Sequence, residues 1–263
     1  MILLGDMARH DLVWAGSDGW SCIMAQAGAA MHADVARWRE MGWPLVVGRH
    51  AVDAPAGTVT VGLPLPPADD GVKRRLGCTL ARSAIVDWRG PLALSDVVAA
   101  APQQWREALE MMVADAKSRL GEGKLGTGSC GASSRAGSVA GDWRRRSLSP
   151  ALQLQAQAGA PPVFSCFGSL AMQALTGIPY LTPTSDIDIL LHPRTVHELD
   201  TGLALMHHHA PTLPLDGEIV FPDGAAVSWK EWSASGDERV LVKHVGGVRL
   251  SGKAPLLAQL RPA

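Results

Sequence analysis

The chain has 263 residues, 47% of them hydrophobic and 19% charged, with a formal net charge of −1. That length holds one large or two small domains with an ordinary buried core, and the composition excludes a chain disordered throughout. The near-zero charge supplies no general basic field, so neither bulk electrostatic binding of long nucleic acid nor a nucleic-acid partner is expected, while a local basic pocket stays open.

The first residues carry no basic stretch followed by an apolar core, and no window is apolar over a bilayer's width. A cytoplasmic location with no membrane partner is therefore expected. Cys22, Cys78, Cys130 and Cys166 stand far apart with no C-x-x-C pair. That spacing argues against a zinc ribbon or disulfide scaffold and for reduced, mostly buried thiols.

In the first hundred residues short apolar runs alternate with Gly and Pro. Strands are expected at 44–48, 58–63 and 76–87, and short helices at 30–41 and 94–99. A firmer helix spans 102–120, with Pro102 at its start and Trp105, Leu109, Met112 and Val113 in helical spacing. From 121 to 162 Gly, Ser, Ala and Gln dominate, and Arg144, Arg145 and Arg146 form a charge run. Such a stretch buries too little apolar surface to offset its ordering entropy. It reads as a flexible insert between an N-terminal domain at 1–120 and a C-terminal domain at 163–263.

The second half continues with a strand at 163–167, a helix at 170–175 starting from a Ser169 cap, and a strand at 187–191. A helix at 195–208 follows, with Val196, Leu199, Leu203 and Met206 on one face. Asp223 and Gly224 mark a two-residue turn between strands at 215–222 and 225–232, and 240–245 and 247–250 close the chain as short strands. The pattern as a whole is α+β: a mixed sheet with helices in the C-terminal half, preceded by a smaller α/β or β-rich region.

The chemistry concentrates in the run Ser185-Asp186-Ile187-Asp188-Ile189. Side chains alternate on a strand, so Asp186 and Asp188 share one face while the isoleucines enter a core. Their Cα atoms lie about 6.6 Å apart, within reach of one hard divalent cation or a pair. Holding two like charges together without a cation is costly, so Mg²⁺ or Mn²⁺ is expected. Upstream, Gly168-Ser169 at a strand-to-helix turn lets backbone N–H groups and a hydroxyl approach a phosphate closely. Two-metal phosphoryl chemistry calls for a third carboxylate on a neighbouring strand. Asp216, Glu218 and Glu231 are the candidates, and Glu218 is favoured because it opens a strand expected beside the acidic one.

Other motifs are weaker. Gly247 to Lys253 spells G-x-x-x-x-G-K, but Ala254 stands where a P-loop needs Ser or Thr. His207, His208 and His209 are consecutive on a helix end and point in different directions, so a solvated cap is expected there rather than a metal site. Lys73, Arg74 and Arg75 form a basic patch suited either to phosphates or to a solvent-facing strand start. The nine tryptophans are expected mainly as core anchors.

The Gly-Ser turn followed by Asp-hydrophobic-Asp resembles the nucleotidyltransferase superfamily. Within it, the chain is similar to one family, the phosphoribosyl-dephospho-CoA transferases of malonate decarboxylase, also called its holo-acyl-carrier-protein synthases. The likeness rests on Arg9-His10-Asp11-Leu12-Val13-Trp14, Gly62-Leu63-Pro64-Leu65-Pro66, the run from Phe167 through Gly168-Ser169 to Tyr180, Thr184-Ser185-Asp186-Ile187-Asp188, Asp216-Gly217-Glu218 and Trp229-Lys230-Glu231-Trp232. It implies a nucleotidyltransferase-like catalytic domain at 163–263 and transfer from triphosphoribosyl-dephospho-CoA to a serine of the apo acyl carrier protein, with diphosphate released. Asp186 and Asp188 match the family's catalytic pair, and Gly168 and Ser169 would hold phosphates. The 121–162 insert is expected to have no counterpart in the family, and Met7 is a second candidate start. The competing readings are another nucleotidyltransferase acting on a protein or RNA acceptor, and a phosphate-binding module without turnover.

Overall fold

A computed structural model of the protein describes residues 7–49, 54–67, 74–121, 162–234, 236 and 239–262. The described residues form two sheets and eight α-helices, an α+β arrangement. The expected insert lies outside the described residues but for its end residues Gly121 and Pro162, and so does Lys73 of the basic patch.

The first sheet has five antiparallel strands in the order β4-β3-β2-β1-β5. These are β1 (Leu12–Ala15), β2 (Leu45–Val47), β3 (Thr58–Pro64), β4 (Arg75–Ala81) and β5 (Ile85–Arg89). On β3 burial alternates, so Val59, Val61 and Leu63 enter a core with Val13, Leu45 and Leu80. Helices α1 (Ser17–Gln26) and α2 (His32–Met41) cover that core through Ile23, Val35 and Trp38. The single strand expected over 76–87 is two strands at opposite edges. A 3-10 turn at Arg82–Ala84 breaks it, and β5 crosses to pair with β1, which the motif Arg9 to Trp14 did not announce as a strand.

The second sheet has seven strands in the order β12-β11-β10-β9-β8-β7-β6. They are β6 (Leu92–Ala93), β7 (Phe164–Phe167), β8 (Ile187–Leu191), β9 (Leu215–Val220), β10 (Ala226–Ser228), β11 (Val240–His244) and β12 (Gly247–Ser251). Among the described strands of this sheet only β8 and β9 pair in parallel, because the helix between them carries the chain back. Its helices are α3 (Leu94–Val97), α4 (Gln103–Leu120), α5 (Gly168–Thr176), α6 (Val196–His209), α7 (Trp229–Ala234) and α8 (Ala254–Leu257). One face, with Phe164, Cys166, Ile187, Ile189, Leu191, Leu215, Ile219 and Val227, packs on α4 and α6 in a single apolar core. The opposite face carries Ser165, Phe167, Asp188, Asp216 and Glu218.

Two expectations are corrected here. Residues 92–120 were expected with the N-terminal domain; instead β6 pairs with β7, and Leu109 and Met112 of α4 sit in the second core. The stretch 225–232 was expected as one strand, but pairing stops at Ser228 and Trp229 starts α7. Trp229 and Trp232, three apart, both bury on that helix, so their spacing reported helical rather than strand periodicity. The described residues contain no helix long and apolar enough to cross a membrane.

Candidate active site

Asp188 and Asp216 face each other across the parallel pair β8–β9. Asp186 precedes β8 in a turn where Thr182 N–H donates to Ser185 Oγ at 2.9 Å and Ser185 N–H to the Thr182 carbonyl at 3.0 Å. One carboxylate oxygen from each of Asp186, Asp188 and Asp216 lies within 4.8 Å of the others. Three oxygen donors this close could hold a hard divalent cation. Lys230 Nζ stands 3.3 Å from Asp216 Oδ1 and offsets part of the negative charge at the rim.

The register that joins these acids depends on two glycines. Gly217 has φ +142°, and a Cβ there would run into the Ile189 carbonyl, so only glycine lets β9 lie this close to β8 at Asp216. Gly168 has φ +69° at the start of α5, and a Cβ on it would overlap the Asp188 carboxylate. The glycine bend and the acidic strand are therefore in direct contact. Ser169 follows it, buried, in the first turn of α5, where backbone N–H groups lack helical partners and favour an anion.

Glu218, the favoured third carboxylate, is not in this group; Asp216 takes that place. Glu218 accepts hydrogen bonds from Arg9 Nη1 at 3.1 Å, Arg9 Nη2 at 3.4 Å and Lys243 Nζ at 2.8 Å. Burial pushes its pKa up, but the contacts of His10 and Lys243 and the Arg9 charge prevail and hold it well below the usual carboxylate range. Glu231 is also elsewhere, on α7, where it accepts from Leu241 N–H at 2.6 Å.

Arg9 and His10 come from the turn before β1. Burial holds His10 below its usual pKa, reinforced by the Arg9 and Lys243 charges against the pull of Glu218. Its ring rests on Phe167 with centroids 4.1 Å apart, beside the glycine bend. His192, further along the face of Asp188, is pushed down to about 4 by burial, with a smaller contribution from His10. Asp11 closes the turn by accepting from Ala8 N–H at 2.8 Å, and burial raises its pKa to about 7. No side-chain pattern in the sequence tied Arg9, His10 or Lys243 to the acids; only the family pattern at Arg9-His10-Asp11 marked two of them.

The remaining candidates fall away from this site. Gly247–Ser251 is strand β12, and Lys253 donates to the Trp232 carbonyl at 2.8 Å, so the P-loop-like run cradles no phosphate. Arg75 begins β4 in the other sheet. His207 bonds Ser233 Oγ at 2.9 Å, whereas His208 and His209 gather with Asp115 in a second possible metal group, lining a cavity of about 340 Å³. The expectation of three solvated histidines therefore does not describe His209, which is buried and 3.0 Å from Asp115 Oδ2. Cys78 and Cys166 are free and buried and Cys22 is free and half-buried, while Cys130 lies outside the described residues.

Comparison with known proteins agrees over both halves. The family described as "Phosphoribosyl-dephospho-CoA transferase MdcG N-terminal domain" matches residues 8–91, and its "C-terminal domain" counterpart matches residues 136–254. The second match starts inside the stretch expected to lack a counterpart, which corrects that expectation for residues 136–162. A protein named phosphoribosyl-dephospho-CoA transferase from Xanthomonas campestris pv. campestris (strain 8004) is 32% identical over 254 residues, covering 95% of this chain and 97% of its own. Others of that name, from Bradyrhizobium diazoefficiens and Xanthomonas axonopodis pv. citri, are each 30% identical, over 92% and 94% of this chain and 88% and 95% of theirs. No solved structure matches. With both family domains matched in order and a relative similar over nearly its whole length, the chain belongs to the phosphoribosyl-dephospho-CoA transferase family and is a transferase.

Proposed function

We propose that this protein transfers the phosphoribosyl-dephospho-CoA group from triphosphoribosyl-dephospho-CoA to a serine of the apo acyl carrier protein of malonate decarboxylase. The observation that carries this reading is the contact between the Gly168 bend and a three-carboxylate group, in a chain that belongs to this family. The serine Oγ attacks the α-phosphorus: the Oγ–P bond forms as the bridge to the β-phosphate breaks, the hydroxyl proton passes to solvent, and diphosphate leaves. Asp186, Asp188 and Asp216 would hold Mg²⁺ or Mn²⁺, which when bound neutralises charge developing on the phosphoryl oxygens. Gly168 lets the bend close against the Asp188 carboxylate, and Ser169 with the first N–H groups of α5 binds the triphosphate oxygens. The glycine bend orients the phosphates for in-line attack. This division of labour resembles a nucleotidyltransferase site.

Mass spectrometry of the apo carrier protein after incubation with donor, Mg²⁺ and enzyme tests the reading. Wild type adds one prosthetic group. Asp186→Asn, Asp188→Asn and Asp216→Asn each reduce the rate at least about a hundredfold with folding intact, and Glu231→Gln transfers normally. Full transfer by Asp188→Asn, or preferred incorporation from ATP or CTP by the wild type, would refute it.

A further inference from the structure

Arg9 and Lys243 reach the catalytic face from opposite directions. Arg9 sits in the turn before the first sheet, Lys243 on β11 of the second, and both meet Glu218. Glu218 is two residues beyond Asp216 on the same strand and face, so the carboxylate that both cations meet is rooted about 7 Å along β9 from Asp216. We propose that Arg9 and Lys243 form a diphosphate-binding subsite, the place where the leaving group of the transfer is held; this rests on the reaction proposed above.

Three observations support it. First, two cations face one carboxylate, leaving a surplus positive charge beside a site that must stabilise a polyanion. Both cations keep spare donors: Arg9 has five N–H groups and Lys243 three, and each spends only part of them on Glu218. Second, the anchor is preorganised. The Glu218 side chain is 8% exposed and Arg9 13%, whereas Lys243 at 33% opens to the face where a ligand would lie. Third, the turn that delivers Arg9 is strained. His10, with φ +72°, is the one non-glycine residue at positive φ among the described residues. It is kept there by its N–H bond to the Val47 carbonyl at 2.9 Å and by its ring on Phe167, which precedes Gly168. Backbone strain held by several contacts at once is characteristic of positions that serve a site.

Calorimetric titration with inorganic diphosphate and Mg²⁺, together with product inhibition by diphosphate, tests the proposal. Lys243→Ala and Arg9→Ala each weaken diphosphate binding about tenfold or more and raise its inhibition constant in parallel, while the KM for carrier protein stays within about twofold and Lys243→Arg recovers binding. Unchanged diphosphate affinity in Lys243→Ala overturns it, as does a fall in melting temperature in both alanine variants without a change in affinity, which would make the cluster only a tie between the sheets. The Lys243 side chain is one-third exposed and lies outside both cores, so its variant remains informative if Arg9→Ala fails to fold. The titration uses no carrier protein: an enzyme that binds diphosphate through these residues yet never modifies the carrier refutes the transfer reaction and leaves the subsite standing.

Discussion

Gly168 shows how much one side chain's absence can decide. Its positive φ and the carboxylate of Asp188 against its Cα leave no room for a methyl group. Gly168→Ala therefore has to move either the bend or Asp188, and strain of this kind costs on the order of 1–3 kcal/mol. Transfer should fall at least about a hundredfold in the mass-shift assay, with a modest loss in urea stability; a near-normal rate would mean the close approach is not used. The same residue-level logic separates Asp216 from Glu218. Both project from one face of β9, so alternation alone admitted either. What distinguishes them is that Arg9 and Lys243, from distant parts of the chain, occupy Glu218 and leave Asp216 beside the pair. Asp188 needed no such information, since the alternation of β8 turns it away from the isoleucines, whereas Asp186 precedes the strand and joins the group from the turn before it.

Elements with one strong period were readable: β8, α6 and the turn at Gly224 occur where the pattern put them. Elements whose fate depends on a partner were not. Ala226–Ser228 stays a strand only while β9 pairs with it, and beyond Ser228 the two tryptophans bury better on a helix. The chain at 76–87 splits because β1 offers an open edge to its second half. Helix α4 was read correctly as a helix but assigned to the wrong core. Leu109 is fully buried against the second sheet's cluster, so Leu109→Ala should cost about 2–4 kcal/mol. Hydrogen exchange should locate the loss in β7, β8 and α6; loss confined to the five-stranded sheet would contradict the packing.

Across the whole molecule, α5 binds the two cores to each other. Leu170 and Ala171 belong to the core of the seven-stranded sheet, while Met172 and Leu175 belong to that of the five-stranded one. Tyr180 adds a bond from its hydroxyl to the Pro64 carbonyl at 2.9 Å, and Gln173 joins the same helix to the Ala100 carbonyl at 2.7 Å. A helix shared in this way couples the stability of both sheets, and the ion pairs of Glu218 add a second link. Urea unfolding should thus be one cooperative transition, with tryptophan fluorescence and far-ultraviolet circular dichroism superimposing. Two separated transitions would show that the sheets unfold independently.

Local chemistry fixed the acidic strand, the glycine bend and the family, because each is written in neighbouring residues whose spacing has only one or two physical solutions. The third carboxylate, the core that claims α4, and the arrival of Arg9 and Lys243 at Glu218 were settled only by tertiary structure. These depend on which strands become neighbours and on contacts such as Arg9 with Glu218, 209 positions apart, which no local pattern encodes.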